Sequence, residues 1–210
     1  MARIPKAILD GIHGRLGKYV FKRINGKTFL CKMPVFKKRR KPSAGEMIQR
    51  EKFAFLVCVL KPLKALIREI YKHVSLGKIP FNKAFEDNYH EIINGDYPHF
   101  KANYSRLVLS RGSLELPEFI LAASILPGAL TFIWTYDNYF LQNAKMFWAV
   151  YCEELNQWKF EKGETVILDC MCTLELPDFC GKPVHTYIGF VSEHGTEISN
   201  SYYTGMVNIL

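Results

Sequence analysis

Residues 19–33 read YVFKRINGKTFLCKM, and Gly26-Lys27-Thr28 within them spells the end of the phosphate-binding loop G-x-x-x-x-G-K-[ST]. Such a loop leaves a strand and enters a helix, so that backbone amides and the helix N-terminus converge on the phosphates. It also needs glycine at position 21, where this chain has Phe21. The residues that follow, FLCKM, favour strand, and Pro34 closes the run. The other reading is a hairpin. Asn25-Gly26 between two β-rich runs is the strongest short-range hairpin signal, because a type I′ turn needs positive φ at both central residues. A two-residue turn sets Ile24 opposite Lys27, Lys22 opposite Phe29 and Val20 opposite Cys31. One face then carries Tyr19, Phe21 and Leu30, with Arg23 and Lys32 among them. The triplet is a hairpin tip, and a lone hairpin needs a neighbour to cover an apolar face.

Before the hairpin lies a short lead-in punctuated by Gly11, Gly14 and Gly17, and after it PVFKKRRKPS, five consecutive basic residues between Pro34 and Pro42. Like charges repel and proline donates no backbone hydrogen bond, so this segment is an exposed arm. Ser43 with Glu46 three residues on fits a capping box, predicting a helix over Ala44 to Leu60 that Pro62 ends or kinks. Leu63, Leu66, Ile67, Ile70, Tyr71 and Val74 form the stripe of a second helix, and NKAFEDNYHEII predicts a third, stopped by Asn94-Gly95. From about Ser105 the period shortens. RLVLS, ALTFIWTY, KMFWAVYCEE, TVILDCMCTLEL, HTYIGFVSE and ISNSYYTGMV read as strands. Turn signals divide them at Pro127-Gly128, Asp137-Asn138, Lys162-Gly163, Pro177-Asp178, Gly181-Lys182-Pro183 and His194-Gly195. The expected fold class is α+β: an N-terminal β-hairpin plus helices, then an all-β antiparallel sandwich. The segments are residues 1–42 (lead-in, hairpin and arm), 43–112 (helical) and 113–210 (sandwich).

The net charge of +8 is unevenly spread. Residues 1–78 hold twenty Lys+Arg against four Asp+Glu, a balance of +16, and residues 79–210 hold eight against sixteen, a balance of −8. An asymmetry of this size marks a partner surface. The longest apolar run, Phe53 to Leu60, is too short to span a bilayer, and the opening MARIPKAILDGIHGRLG lacks the apolar core of a secretory signal. A cytoplasmic location follows, with export by a signal-independent route left open. Cys31, Cys58, Cys152, Cys170, Cys172 and Cys180 sit in apolar runs and are expected to be reduced and buried.

Little else looks like chemistry. Cys170 and Cys172, with Cys180 and His185, invite a metal, but residues i and i+2 of a strand share a face, and two core-facing thiols explain the pattern. His13, His73, His90, His99, His185 and His194 are scattered, without a nucleophile motif such as G-x-S-x-G. Asp87, His90 and Glu91 share a predicted helix whose exposed polar face accounts for them. The expectation is therefore no catalytic residues, no cofactor and no metal.

Two resemblances add to this. YIGFVSEHGTEIS resembles the last hairpin of fibronectin type III domains, and Trp134 falls in the second strand of the module, where such domains place a core tryptophan. Over nearly its full length the chain also resembles a family of Bacteroidota proteins carrying a domain-of-unknown-function label. The shared features are the MARI opening with its Gly-punctuated segment and the basic-aromatic hairpin. They continue with Gln49, Arg50, Lys52 and Phe53 of a Q-R-x-K-F helix, then Leu60, Pro62, Leu63 and Lys64. L-T-F-x-W (Leu130 to Trp134) and S-N-S-x-Y (Ser199 to Tyr203) complete the order. The resemblance implies no activity.

What remains is an interaction protein. The candidate partner-binding residues are Lys18, Tyr19, Phe21, Lys22, Arg23, Lys27 and Lys32 of the hairpin with Lys37, Lys38, Arg39, Arg40 and Lys41 of the arm. Their expected partner is an acidic protein surface, including that of a second copy of the chain. A head-to-tail contact of this kind builds rings or filaments, and the hairpin edge is open to β-addition. The alternative is nucleic acid, held by phosphate contacts and stacking on the interleaved aromatics. The charge split is equally satisfied within one molecule if the arm folds onto its own sandwich.

Overall fold

The computed structural model describes residues 2–3, 12–24, 26–35, 41–72, 79–135 and 143–210. Asn25, Lys37 to Arg40, Val74 and the Asp137-Asn138 turn lie outside the described residues. The chain divides into two compact units, Met1–Ser43 and Ala44–Leu210. The segments expected at 43–112 and 113–210 thus fall within one unit.

The first unit is a sheet of four antiparallel strands rather than a lone hairpin. β1 (Ala2–Arg3), β2 (Gly14–Leu16), β3 (Tyr19–Ile24) and β4 (Lys27–Lys32) lie in the order β1-β4-β3-β2. β3 and β4 pair as Ile24 with Lys27, Lys22 with Phe29 and Val20 with Cys31, the register that the two-residue turn dictates. Gly26 has φ +74°, a left-handed value that glycine adopts without a Cβ penalty. Thr28 continues into strand β4 rather than a helix, so the Gly-Lys-Thr triplet has no phosphate-loop context. The Gly-punctuated lead-in supplies β2, folded onto β3 through Gly17-Lys18 with Leu16 opposite Tyr19 and Gly14 opposite Phe21.

The second unit begins with α1 (Ala44–Leu60), α2 (Lys64–Ile70) and α3 (Pro80–Asn88). α3 stops six residues before the expected Asn94-Gly95. The cause is Asn88, fully buried, whose Nδ2 donates to the carbonyls of Ala84 and Val108 while its Oδ1 accepts from the Val108 amide. That bracket captures a distant segment, and the chain beyond it forms β5 (Ile93–Asn94), paired with β6 (Lys101–Ala102). RLVLS, expected to be a strand, is not one. Its backbone is held by side chains: Leu109 N–H donates to Ser201 Oγ, Ser110 Oγ to the Ser199 carbonyl and Gly112 N–H to Asn200 Oδ1. The S-N-S of the sequence is therefore a clamp on residues 109–112.

Seven strands follow: β7 (Phe119–Ala123), β8 (Ala129–Thr135), β9 (Lys145–Cys152), β10 (Gln157–Val166), β11 (Met171–Glu175), β12 (Pro183–Val191) and β13 (Tyr202–Asn208). They form two antiparallel sheets, β10-β9-β12-β13 and β11-β8-β7. These face each other as an immunoglobulin-like sandwich across Leu130, Phe132 and Trp134 on one side and Met146, Val150, Ile188 and Phe190 on the other. β7 and β10 were not among the expected strands. Lys162-Gly163, read as a turn, lies within β10 beside an irregularity in its pairing with β9. TVILDCMCTLEL is broken by a 3₁₀ turn, Ile167–Asp169, before β11.

The helices make a third layer. Leu56, Leu60, Leu66, Ile67 and Ile70 share one core with Phe147, Ala149, Tyr187 and Val191 from the second face of the four-stranded sheet. Buried on both faces, β9 and β12 do not alternate: β9 reads as an apolar run after Lys145, and β12 as one interrupted only by the buried His185-Thr186. The layer packs closely. A Cβ on Gly189 would lie 2.2 Å from the Phe147 ring, which glycine lets lie across β12. Among the described residues no helix is long and apolar enough to cross a membrane.

The cysteines depart from the expectation. All six are free, but Cys152 alone is buried, and Cys58 and Cys180 are exposed. Cys170 precedes β11 with φ +54°, so it does not share a strand face with Cys172.

Candidate interaction surface

Register decides which hairpin side chains act together, since residues directly opposite one another share a face. Tyr19, Phe21 and Arg23 of β3 share a face with Lys32, Leu30 and Thr28 of β4 and with Leu16 of β2. Val20, Lys22 and Ile24 share the other with Cys31, Phe29, Lys27 and Arg15. The predicted set is therefore split: Tyr19, Phe21, Arg23 and Lys32 lie together, while Lys22 and Lys27 lie behind them. Lys18 sits in the β2–β3 turn, and Lys41 is exposed ahead of α1. Lys37, Lys38, Arg39 and Arg40 lie outside the described residues.

At one end of the sheet Lys18 and Lys32 meet Arg15 around a cleft of about 240 Å³ closed by Met33, Pro34 and Val35. The Met33 amide donates to the Lys18 carbonyl at 2.7 Å, which ties the end of β4 to the turn, and Arg15 Nε donates to the Gly17 carbonyl at 3.1 Å within the turn. Arg15 was missed because the segment before the hairpin carried no strand pattern of its own.

No side chain described in this unit is buried, although both faces hold large apolar residues. Leu16, Tyr19 and Ile24 are among the exposed ones. Residues 1–43 carry thirteen Lys+Arg against one Asp, a balance of +12, and residues 44–210 carry fifteen against nineteen, a balance of −4. Residues 44–78 still carry seven Lys+Arg against three Asp+Glu, so the first unit holds most of the basic excess, while the change of sign comes at 78, within the second unit.

The second unit holds a polar-aromatic cluster that sequence reasoning did not assemble. His185, on β12, places Nε2 2.9 Å from Glu153 Oε1 and Nδ1 2.8 Å from Tyr203 Oη. A neutral imidazole satisfies both when Nε2–H donates to the carboxylate and the Tyr203 hydroxyl donates to Nδ1. Tyr104 donates to Tyr151 Oη, Tyr151 donates to Asn156 Oδ1, and the Trp158 ring stacks on Tyr151 at 4.5 Å. Tyr203 has its pKa raised by burial first and by the Glu153 charge second, so its hydroxyl keeps its proton at neutral pH. These contacts tie β9, β10, β12 and β13 to the 3₁₀ turn at Tyr104. They also separate His185 from the cysteines: Cys180 Sγ donates to the Leu210 carbonyl, and Thr165 Oγ1 donates to Cys172 Sγ. Grooves of about 850 Å³ beside α2 and about 360 Å³ beside His194 are lined by other residues.

A family model described as a family of unknown function (DUF6266) matches residues 11–205. No curated protein matches the chain.

Proposed function

This chain belongs to the DUF6266 family, and we propose that it is a non-catalytic structural or assembly protein whose basic N-terminal sheet docks on an acidic, partly apolar protein surface, a second copy of the chain included. The observation that supports this reading is the sheet's two mixed faces, on which no described side chain is buried. A small sheet gains stability by covering an apolar face, at roughly 25 cal/mol per Å² removed from water. A balance of +12 on the same unit selects which surface does the covering. Charge steers and registers such a contact, and the aromatic and aliphatic side chains hold it.

Nucleic acid is less well served by this arrangement. Tracking a backbone calls for several phosphate contacts along one path. Here Arg23 and Lys32 face away from Lys22 and Lys27, each pair interleaved with apolar residues. The same reading keeps the chain in the cytoplasm and takes a Bacteroidota origin from the order of its motifs.

Size-exclusion chromatography with light scattering, over a concentration series at about 0.1 M and about 1 M salt, tests the proposal. The mass is expected to exceed 24.3 kDa at low salt and to fall toward it at high salt. A 24.3 kDa monomer under every condition overturns self-assembly. A salt-dependent shift of a single-stranded oligonucleotide, lost when Lys37 to Lys41 are changed to Ser, replaces the reading with nucleic-acid binding.

A further inference from the structure

The three-stranded sheet of the sandwich buries one face in the core. Among the described residues the other face is exposed along β7 and β11, with Thr131 buried and Ile133 half-buried on β8 between them. Trp134, Phe132, Ile120 and Ala122 point into the core. Pairing therefore puts Leu121, Ile133 and Met171 in one outward row across β7, β8 and β11, with Phe119 beside them. Phe119 is 54% exposed, Leu121 44% and Met171 56%. Isolated apolar residues on a surface are ordinary, but a contiguous row across three strands marks a contact site.

The chain around this face has a one-sided charge. Residues 112–144 and 163–181, which contain β7, β8 and β11, hold seven Asp+Glu and not one Lys or Arg. Glu164 is paired with Lys145 and Asp178 with Lys159. Glu118, next to Phe119, and Glu175, at the end of β11, are exposed and make no ion pair among the described residues. The face thus carries an apolar row among threonines (Thr131, Thr135, Thr173), with an acidic rim of two carboxylates, Glu118 and Glu175. The face of the N-terminal sheet that carries Leu16, Tyr19, Phe21 and Leu30 is apolar with two cations, Arg23 and Lys32. The two are complementary in both charge and apolar content.

We propose that the outward face of β7, β8 and β11 is the docking surface for the N-terminal sheet of a second copy of this chain, through its Leu16–Tyr19–Phe21–Leu30 face. The inference rests on the assembly reading above and names its partner surface. Sheet packs on sheet, Arg23 and Lys32 meet the acidic rim, and each copy offers one donor sheet and one acceptor face. The contact is heterologous, so copies add head to tail until a ring closes or a filament grows.

The test uses two variants of the full chain. L121K/M171K spoils the acceptor face and R23E/K32E spoils the donor sheet; both pairs lie on open strand faces, and circular dichroism with an unchanged melting temperature checks their folding. Each variant alone is expected to associate about thirtyfold or more weakly than wild type, as for the loss of a central contact. Mixed one to one, they are expected to form a dimer and nothing longer, because one intact face meets one intact sheet. Wild-type assembly that L121K/M171K leaves unchanged overturns this face while leaving the assembly reading standing. A wild type that is monomeric at every concentration removes the assembly reading itself. Hydrogen exchange supplies the second measurement. Protection of strands β7 and β11 that grows with protein concentration supports the inference. Protection independent of concentration puts the sheet on its own chain and overturns the second-copy assignment.

Discussion

The N-terminal sheet and the seven-stranded sandwich are both antiparallel, both rich in aromatic and β-branched residues, and they differ in what those residues do. In the sandwich Phe132, Trp134, Phe147 and Phe190 are fully or almost fully buried, and the central strands β9 and β12 are covered on both faces. In the N-terminal sheet Phe21 and Phe29 are only half-buried, and Leu16, Tyr19, Phe21, Ile24 and Cys31 each have a lysine or arginine as chain neighbour. Apolar content alone therefore does not distinguish a core from an exposed sheet. The distribution of charge does, because a desolvated charge without a partner is too costly for a core and is tolerated where the side chain stays solvated.

The largest effect that sharpens this contrast is expected in the sandwich. Trp134 is buried between the two sheets, packs edge-on against Phe190 and donates from Nε1 to the Ile167 carbonyl at 2.6 Å. Trp134→Ala removes that packing and leaves the carbonyl without its donor, a loss of about 3–5 kcal/mol. Urea unfolding followed by circular dichroism measures it. A loss below about 1 kcal/mol would mean that the sandwich is no better packed than the N-terminal sheet.

Much of the division was legible in the sequence, for reasons visible in particular residues. The hairpin register followed from Asn25-Gly26, because a two-residue turn leaves one pairing. α1 ended at Leu60 just ahead of Pro62. What escaped was set by tertiary contacts. β2 and β7 are short strands that owe their structure to a neighbour: Gly14–Leu16 has no alternation of its own, and Phe119–Ala123 follows a proline-bearing loop. α3 was cut short by Asn88 binding Val108, a contact across twenty residues that no local pattern announces. The acidic stretches could be counted in the sequence, but only the pairing of β7 and β11 with β8 brings Glu118 and Glu175 to the edges of one sheet.

A second difference appears at high pH. Tyr71 and Tyr187 are both buried, and burial is the first cause of their raised pKa values, with Asp87 adding to it at Tyr71 and Tyr203 at Tyr187. Tyr104 is raised by burial and then by its hydrogen bond with Tyr151. A folded pKa above the unfolded value of 10.0 leaves stability intact below pH 10. Above it the unfolded chain loses these protons first, so stability falls as pH rises toward the folded values. For Tyr71 and Tyr187 together this amounts to about 3 kcal/mol by pH 11. Tyrosinate absorbance should show both ionising only as circular dichroism reports unfolding. Ionisation without loss of structure would show that the helical layer does not seal them.

The smallest effect is the most discriminating. Leu30 lies in the middle of β4, opposite Phe21 and half-buried, on the face assigned to docking. In a dilute monomer Leu30→Ala removes little area from a contact that does not yet exist, so the global unfolding free energy should change by less than about 1 kcal/mol. In the assembled state the same change removes a side chain from the centre of the contact, and association should weaken while the monomer's melting temperature stays put. The two measurements must therefore disagree. Were Leu30→Ala to destabilise the dilute monomer as Trp134→Ala does, the N-terminal sheet would already be covered in one molecule. Its cations would then serve the fold rather than a partner. The position is informative because its half-burial is too little for a core side chain and its surroundings too apolar for a solvated one.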